Sequence, residues 1–298
     1  MTGAGSRWLR AMPAVFVLIW STGFVVARYG MPHAPPFSFL ALRYLLSIVA
    51  FGIWIALSRP SWPASPSQWL HLGVTGVLMH AGYLGGVWFA VKGGLGAGLA
   101  ALIVGLQPLL TALWLSAYDR GPSGRVLIPA RQWLGLALGL AGLLLVVSSK
   151  LRLGQAQIAT VVPAVLALCS ITAGTLYQKR WVKACDVRSA NTVQLIAALL
   201  VTVPLAAMES EPVVWHPELI GALLWSVLAL TLGGSSLLYL LIQRGAATSV
   251  TSLMYLVPPC TAVLAAILFA EPLTAVVLAG LVLTALGVAL AVRSGVRS

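Results

Sequence analysis

Residues 132–149 read QWLGLALGLAGLLLVVSS, an uncharged apolar run bounded by Arg131 and Lys150. An α-helix rises about 1.5 Å per residue, so a run of this length comes close to the thickness of the hydrocarbon core of a bilayer. Inside hydrocarbon a helix satisfies its own backbone hydrogen bonds, which an isolated strand cannot do. The run therefore predicts a membrane-spanning helix.

Similar runs recur along the whole chain, which is 60% hydrophobic and only 8% charged. A soluble domain carries about a quarter charged residues. The runs and their short connections predict an all-α integral membrane protein without a separate soluble domain, and the first run reads as an uncleaved helix rather than a signal peptide. The ten predicted spans are roughly residues 12–29, 38–57, 69–91, 97–118, 132–149, 158–179, 189–207, 218–243, 248–270 and 274–292.

The net charge of +12 comes from basic residues scattered between the apolar runs, not from a basic stripe. This distribution argues against a nucleic-acid partner and is typical of topology signals at helix ends. With the N-terminus inside, thirteen of the 18 Lys and Arg residues fall on the cytoplasmic side and five fall outside. We therefore predict a multi-pass protein of a bacterial inner (plasma) membrane, with both termini cytoplasmic.

An internal repeat organises the spans. A shift of 150 residues places Pro13-Ala14-Val15 on Pro163-Ala164-Val165 and Pro108 on Pro258, and a shift of 145 places Gly135 and Gly142 on Gly280 and Gly287. Five spans per repeat is an odd number, so the second repeat enters the membrane from the opposite side. The prediction is two inverted five-helix repeats, residues 1–150 and 151–298, around a central cavity, an arrangement found in many secondary transporters.

The residues also resemble a known family. Trp20-Ser21-Thr22-Gly23-Phe24, Arg43 after Pro35-Pro36, the mid-helix Pro108 and Pro258, and Glu271-Pro272 are similar to the drug/metabolite transporter superfamily, in its ten-helix family with two EamA-type domains. Asp119 stands where this family often has Glu. The resemblance implies a cavity lined by both halves and used to export or exchange metabolites, often amino acids.

Polar residues at membrane depth are costly, so they are candidates for function. His80 shares a helical face with Tyr83 near the middle of the third predicted span, and could bind a carboxylate, relay a proton or be a hydrogen-bonded core residue. Gln107 precedes Pro108, whose missing N–H leaves a backbone carbonyl free one turn earlier. Gln107 could bind substrate beside this helix break, or join two helices.

Two further candidates are predicted as a gate or cavity mouth. Arg43 lies inside the second span, where it could serve the cavity or snorkel to the outer interface. Gln194 is its rough counterpart in the second half. Trp20 near the midplane of the first span could also line the cavity.

In the second half, the stretch matching Gln107 and Pro108 carries hydroxyls, an aromatic ring and two prolines. Its candidates are the cavity residues Ser252 and Tyr255 and the helix breaks Pro258 and Pro259. Tyr239, toward the cytoplasmic end of the eighth span, is a further cavity candidate.

Absent features narrow the function. No Asp or Glu falls mid-span, which disfavours a carboxylate proton relay, and no Walker motif or dense ligand cluster is present, so we expect no catalytic site, no cofactor and no metal. The leading hypothesis is a monomeric secondary carrier for small polar metabolites, most of all amino acids, with the lipid bilayer as its other partner. The alternatives are an exporter of drugs or other metabolites, an intramembrane enzyme and a passive channel. Coupling through His80 and facilitated diffusion both stay open.

Overall fold

The structure is a computed structural model that describes residues 3–58, 60–118, 120–121, 124–125, 130–234, 237 and 256–295. It is almost entirely helical, apart from a two-residue antiparallel pair in which Arg120–Gly121 (β1) faces Gly124–Arg125 (β2). The helices are α1 Gly3–Gly30, α2 Pro36–Ser58, α3 Pro66–Lys92, α4 Ala97–Val104, α5 Gln107–Tyr118, α6 Ala130–Arg152, α7 Ile158–Trp181, α8 Val187–Ala207, α9 Pro217–Gly234, α10 Val257–Phe269 and α11 Ala275–Gly295.

Six of these helices are long and apolar enough to cross a membrane: α2, α3, α6 from Trp133, α7, α8 and α9. Shorter apolar stretches lie at Ala14–Gly30, Ala97–Thr111, Val257–Phe269 and Ala275–Leu290. The described residues of the ten predicted spans are helical almost throughout, so the chain is a helical membrane protein as predicted. The arrangement as ten spans in two inverted repeats stays a prediction.

The fourth predicted span, 97–118, is not one continuous helix. It divides into α4 and α5 at Gly105 and Leu106, directly before Gln107 and Pro108. Proline lacks the N–H that would continue the helical hydrogen bonding. The predicted spans 218–243 and 248–270 lie only partly within the described residues, as α9 and α10.

Helices of the first half pack mainly against helices of the second half. α6 lies against α11, α2 against α8, α3 against α7 and α8, and both α1 and α4 against α10. The two halves of the sequence are therefore interleaved rather than placed side by side as separate domains.

Glycines allow the closest of these contacts. A Cβ on Gly287 would lie 2.4 Å from Gly139 N and 2.5 Å from Gly135 O, and one on Gly142 would lie 2.6 Å from Gly280 O. α6 and α11 thus meet backbone to backbone, as small residues permit in membrane bundles. The glycines at 135 and 139 are therefore close-packing positions.

The surface that remains is apolar. Leu57, Leu200 and Ile267 are 82%, 70% and 73% exposed and lie on three different helices. Large apolar side chains exposed to this degree need a non-aqueous surrounding, which lipid supplies.

Candidate functional site

A large cavity lies between the two halves. Its volume is about 610 Å³, and its walls come from α1, α2, α3, α7, α8, α9 and the α7–α8 loop. A cavity of this size is in the range of small-molecule sites. The cavity runs from buried residues of α2 and α9 to loop residues 182–185, so it reaches one end of the bundle.

Five of the predicted site residues line this cavity: Trp20, Arg43, His80, Tyr83 and Gln194. The tertiary fold brings them together from four helices, α1, α2, α3 and α8. In the Trp20 motif, Gly23 and Phe24 also reach the cavity. The predicted Tyr239, Ser252 and Tyr255 lie outside the described residues.

Gln107 is placed elsewhere. It does not line the cavity, and its side-chain amide donates a 3.1 Å hydrogen bond to Thr175 Oγ1 on α7. This geometry corresponds to the interhelical alternative for Gln107.

The two predicted helix breaks, at Pro108 and at Pro258 and Pro259, lie close together. A Cβ on Gly105, just before the first break, would come within 2.6 Å of Pro258 Cγ at the start of α10.

His80 is positioned by a π-helical turn. The segment Val77–Gly82 within α3 is wound with one extra residue per turn, a feature that often occurs at functional sites. The Tyr44 hydroxyl donates to the His80 carbonyl oxygen at 2.9 Å, and the two rings meet edge to face. Gln194 lines the same cavity from α8, which packs against this segment.

Gly76 explains why Gln194 can approach so closely. A Cβ at this position would lie 2.2 Å from Gln194 O, so α3 and α8 touch through their backbones. Any larger residue at position 76 would separate His80 from Gln194. The backbone contact therefore fixes the spacing of α3 and α8, the helices that carry His80 and Gln194.

A second π-helical segment, Ser226–Gly234, forms the end of α9. Its start is about 150 residues beyond the start of the first, the same shift that the prolines indicated. Thr231 lies in this segment, lines the cavity, and donates from Oγ1 to Ser226 O at 2.8 Å. Sequence reasoning missed Thr231, because a buried Thr in an apolar run carries no signal without knowledge of its neighbours.

Arg43 is the buried cation of the cavity. Its side chain is 7% exposed, its Nη2 donates to Thr231 Oγ1 at 3.3 Å, and its Cζ lies 5.6 Å from the Trp88 ring centroid. Its Nη1 is buried without a hydrogen-bond partner in the described part of the chain. Arg43 therefore faces inward to the cavity, and the snorkelling alternative does not describe it.

The mouth of the cavity is basic. Lys179 and Lys183 line it and are exposed, and no Asp or Glu is among its described lining residues. Beside the mouth, a side-chain hydrogen bond from Arg188 lowers the pKa of Asp186, the residue that caps α8. Burial raises the pKa of the neighbouring Cys185 thiol. Sequence reasoning counted the two lysines only as topology signals.

The opposite end of the bundle is closed by contacts between the halves. The Glu209 carboxylate, in the α8–α9 loop, accepts from Phe37 N at 2.9 Å, from Ser38 N at 2.8 Å and from Ser38 Oγ at 2.8 Å. In the same loop, Glu211 pairs with Lys92 at the end of α3. The α8–α9 loop of the second half thus caps α2 and holds α3 of the first.

Two histidines at this closed end contact an acid. His33 Nε2 lies 2.9 Å from Glu218 Oε2, and the rings of His33 and His216 stack at 4.3 Å. Nδ1 of His216 already accepts from the backbone N of Glu218 at 3.3 Å. These polar atoms contact one another through a side-chain hydrogen bond and a helix cap, so the cluster needs no metal to account for it.

The chain is similar to known transporters over most of its length. The model of the EamA-like transporter family matches it twice, at residues 11–148 and 159–293. A "Probable amino-acid metabolite efflux pump" of Salmonella typhimurium is 27% identical over 91% of this chain and 90% of that protein. The "Uncharacterized inner membrane transporter YedA" of Escherichia coli K12 is 26% identical over 73% of this chain and 68% of that protein.

The fold has a counterpart among solved structures. A crystal structure 20% identical in sequence superposes with a TM-score of 0.63, over 96% of this chain and 98% of that one. At this identity the likeness concerns the fold alone. The two family matches, by contrast, cover more than half of the residues, and they show that this chain is a member of the EamA-like transporter family.

Proposed function

We propose that this transporter is a secondary carrier that exports small polar metabolites, amino acids first, across the inner membrane by alternating access. The observation that carries the proposal is the cavity between the two halves, which reaches the α7–α8 loop at one end and is closed at the other by the α8–α9 loop. A carrier needs a site that is open to one side at a time. The family makes the protein a membrane transporter and not an enzyme.

The chemistry of the walls supports a small amphipathic substrate. Trp20, Phe24 and Leu230 offer apolar surface, while Arg43 and His80 offer polar groups. A zwitterion with an apolar side chain would find partners for both of its parts. The similar Salmonella protein is named a probable amino-acid metabolite efflux pump, which supports the same substrate class.

The proposed orientation places both termini in the cytoplasm, which makes the α7–α8 loop cytoplasmic and the α8–α9 loop external. The cavity then opens inward, and the contacts of Glu209 with α2 and of Glu211 with α3 close the outer side. The family model matches each half of the chain, and each half contains a π-helical segment; both observations support an alternating-access motion of one half against the other.

Counterflow tests this proposal. Purified protein in proteoliposomes preloaded with individual unlabelled amino acids is expected to accelerate uptake of the same labelled amino acid, with saturation. A channel would give no such acceleration. Folded protein that exchanges no amino acid would contradict the amino-acid assignment, and exchange of a hydrophobic cation instead would favour a drug exporter.

His80→Ala supplies the site control. We expect it to reduce counterflow while membrane insertion stays normal, because His80 lines the cavity. Unchanged transport in this variant would remove His80 from the site. Counterflow with and without an imposed pH gradient then decides the coupling, since equal rates exclude a coupled proton.

A further inference from the structure

We infer that Arg43 binds a carboxylate of the transported molecule, so that the substrates are organic acids and zwitterions rather than amines. The inference rests on the proposed function, because it names the chemical group recognised in the same cavity. Four observations support it: the burial of Arg43, its incomplete hydrogen bonding, the charge of the cavity and the contact between α2 and α9.

Arg43 is buried at membrane depth without full compensation. A charged side chain in a transmembrane segment is costly and is normally paired. Here the guanidinium is 7% exposed, donates from Nη2 to Thr231 at a long 3.3 Å, and leaves Nη1 unpaired within the described residues. Buried donors are rarely left unpaired in proteins, which points to an acceptor from outside the chain.

The shape of the group selects the ligand. A guanidinium presents its donors in a rigid planar fork that matches the two oxygens of a carboxylate. The Trp88 ring, 5.6 Å from Cζ, can hold the guanidinium by a cation–π contact without neutralising it. Trp88 also lines the cavity, and its own Nε1 is a second buried donor without a partner in the described structure.

The net charge of the cavity agrees with an anionic group. Arg43, Lys179 and Lys183 line it, and its described lining residues include no acid. The two lysines lie at the exposed mouth, where water screens their charge, so they attract anions without holding them in one position. Arg43 alone of the three is buried, and a bound amine would meet its charge without a carboxylate to offset it.

The position of Arg43 links the ligand to both halves. Arg43 belongs to α2, and the Thr231 hydroxyl that it contacts belongs to the π-helical segment of α9. A carboxylate on Nη1 would therefore bind at the junction of the two halves. Binding there can bias their relative arrangement, as a transported substrate must.

A matched set of probes isolates the carboxylate. L-phenylalanine, 3-phenylpropanoate and phenethylamine share the same aromatic part, but only the first two carry a carboxylate. They are measured against the full-length wild type by thermal stabilisation of the solubilised protein and by competition with counterflow. We expect the two acids to bind at least about ten times more tightly than the amine, from the usual strength of a charged hydrogen bond.

Substitution then assigns this preference to Arg43. Arg43→Gln is expected to weaken binding of both acids by about 10- to 100-fold and to remove the preference over the amine, with Arg43→Lys intermediate. Arg180→Gln, at an exposed residue of α7 that is not among the described lining of the cavity, should change the same affinities by no more than about twofold at 0.15 M salt. Arg43→Met serves as a second neutral variant, and size-exclusion profiles verify that each variant is folded.

The outcomes separate the two proposals. If no amino acid exchanges, the amino-acid assignment of the proposed function fails, and the thermal measurement still decides the role of Arg43. Equal stabilisation by the acids and the amine would overturn the inference, as would no stabilisation by either acid. An acid preference retained in both neutral variants would also overturn it, even if counterflow itself succeeds.

Discussion

Glu209 offers the sharpest test of the closed end of the bundle. Its carboxylate accepts three hydrogen bonds at the N-terminus of α2, from Phe37 N, Ser38 N and Ser38 Oγ, at 2.8 to 2.9 Å. Charge-assisted bonds of this kind are among the stronger ones, and the helix dipole adds to them. In the proposed orientation this end is external, and alternating access requires these bonds to break. Glu209→Ala then removes their contribution from the closed state alone.

The magnitude follows from the contacts. A half-buried carboxylate with three donors contributes about 2–3 kcal/mol, which corresponds to a rise of about 30- to 150-fold in the ratio of outward-open to closed protein. Glu211→Ala is the matched control from the same loop. The Glu211 side chain is 62% exposed in its pair with Lys92, and such surface pairs contribute at most about 1 kcal/mol, or about fivefold.

Thiol labelling measures this ratio. Gly23 lines the cavity and has room for a side chain, since the nearest atom to a Cβ is 3.9 Å away. Gly23→Cys is introduced after replacement of Cys169, Cys185 and Cys260, and a membrane-impermeant maleimide is added from outside to spheroplasts. We expect Glu209→Ala to accelerate labelling by about 30-fold or more and Glu211→Ala by about fivefold or less. Equal rates in Glu209→Ala and its parent, or equal effects of both variants, would refute the role of Glu209.

Further predictions concern stability and Gln107. Gly287→Ala should destabilise the protein by about 1–3 kcal/mol, because its Cβ would meet backbone atoms of α6. Gly221→Ala, with nothing within 4 Å, should leave the unfolding temperature unchanged or raised. The hydrogen bond from Arg188 lowers the pKa of Asp186 in the folded state, so it stabilises the fold above the unfolded pKa and this contribution is lost as pH falls through the folded value. Asp186→Asn should therefore lose less stability than wild type on acidification below about pH 4, followed by thermal unfolding. Gln107→Leu should lower the unfolding temperature through the lost bond to Thr175 but leave the KM for counterflow unchanged, whereas an increased KM would restore Gln107 to the substrate site.

Five predicted residues of the candidate site meet in one cavity. The polar ones could be predicted from the sequence because such residues are rare in membrane helices. Arg43, His80 and Gln194 are polar or ionisable groups inside apolar runs, where desolvation is costly. The same argument selected Gln107, which the structure places against Thr175 outside the cavity. A polar residue in a membrane helix can offset its desolvation by hydrogen bonding equally well to a neighbouring helix or to a substrate. The sequence does not distinguish these partners.

The sequence by itself determined that this protein is a bundle of membrane helices, because the length and polarity of each run are set by the bilayer and not by neighbouring segments. It also showed that the glycines of α6 and α11 match as part of an internal repeat, and it indicated the family that the motifs resemble. Only the tertiary structure decided which faces enclose the cavity, where Thr231 and the basic mouth lie, and that Glu209 closes the other end. Those features depend on contacts between residues more than a hundred positions apart, such as the packing of α8 against the π-helical segment of α3 and of α2 against that of α9.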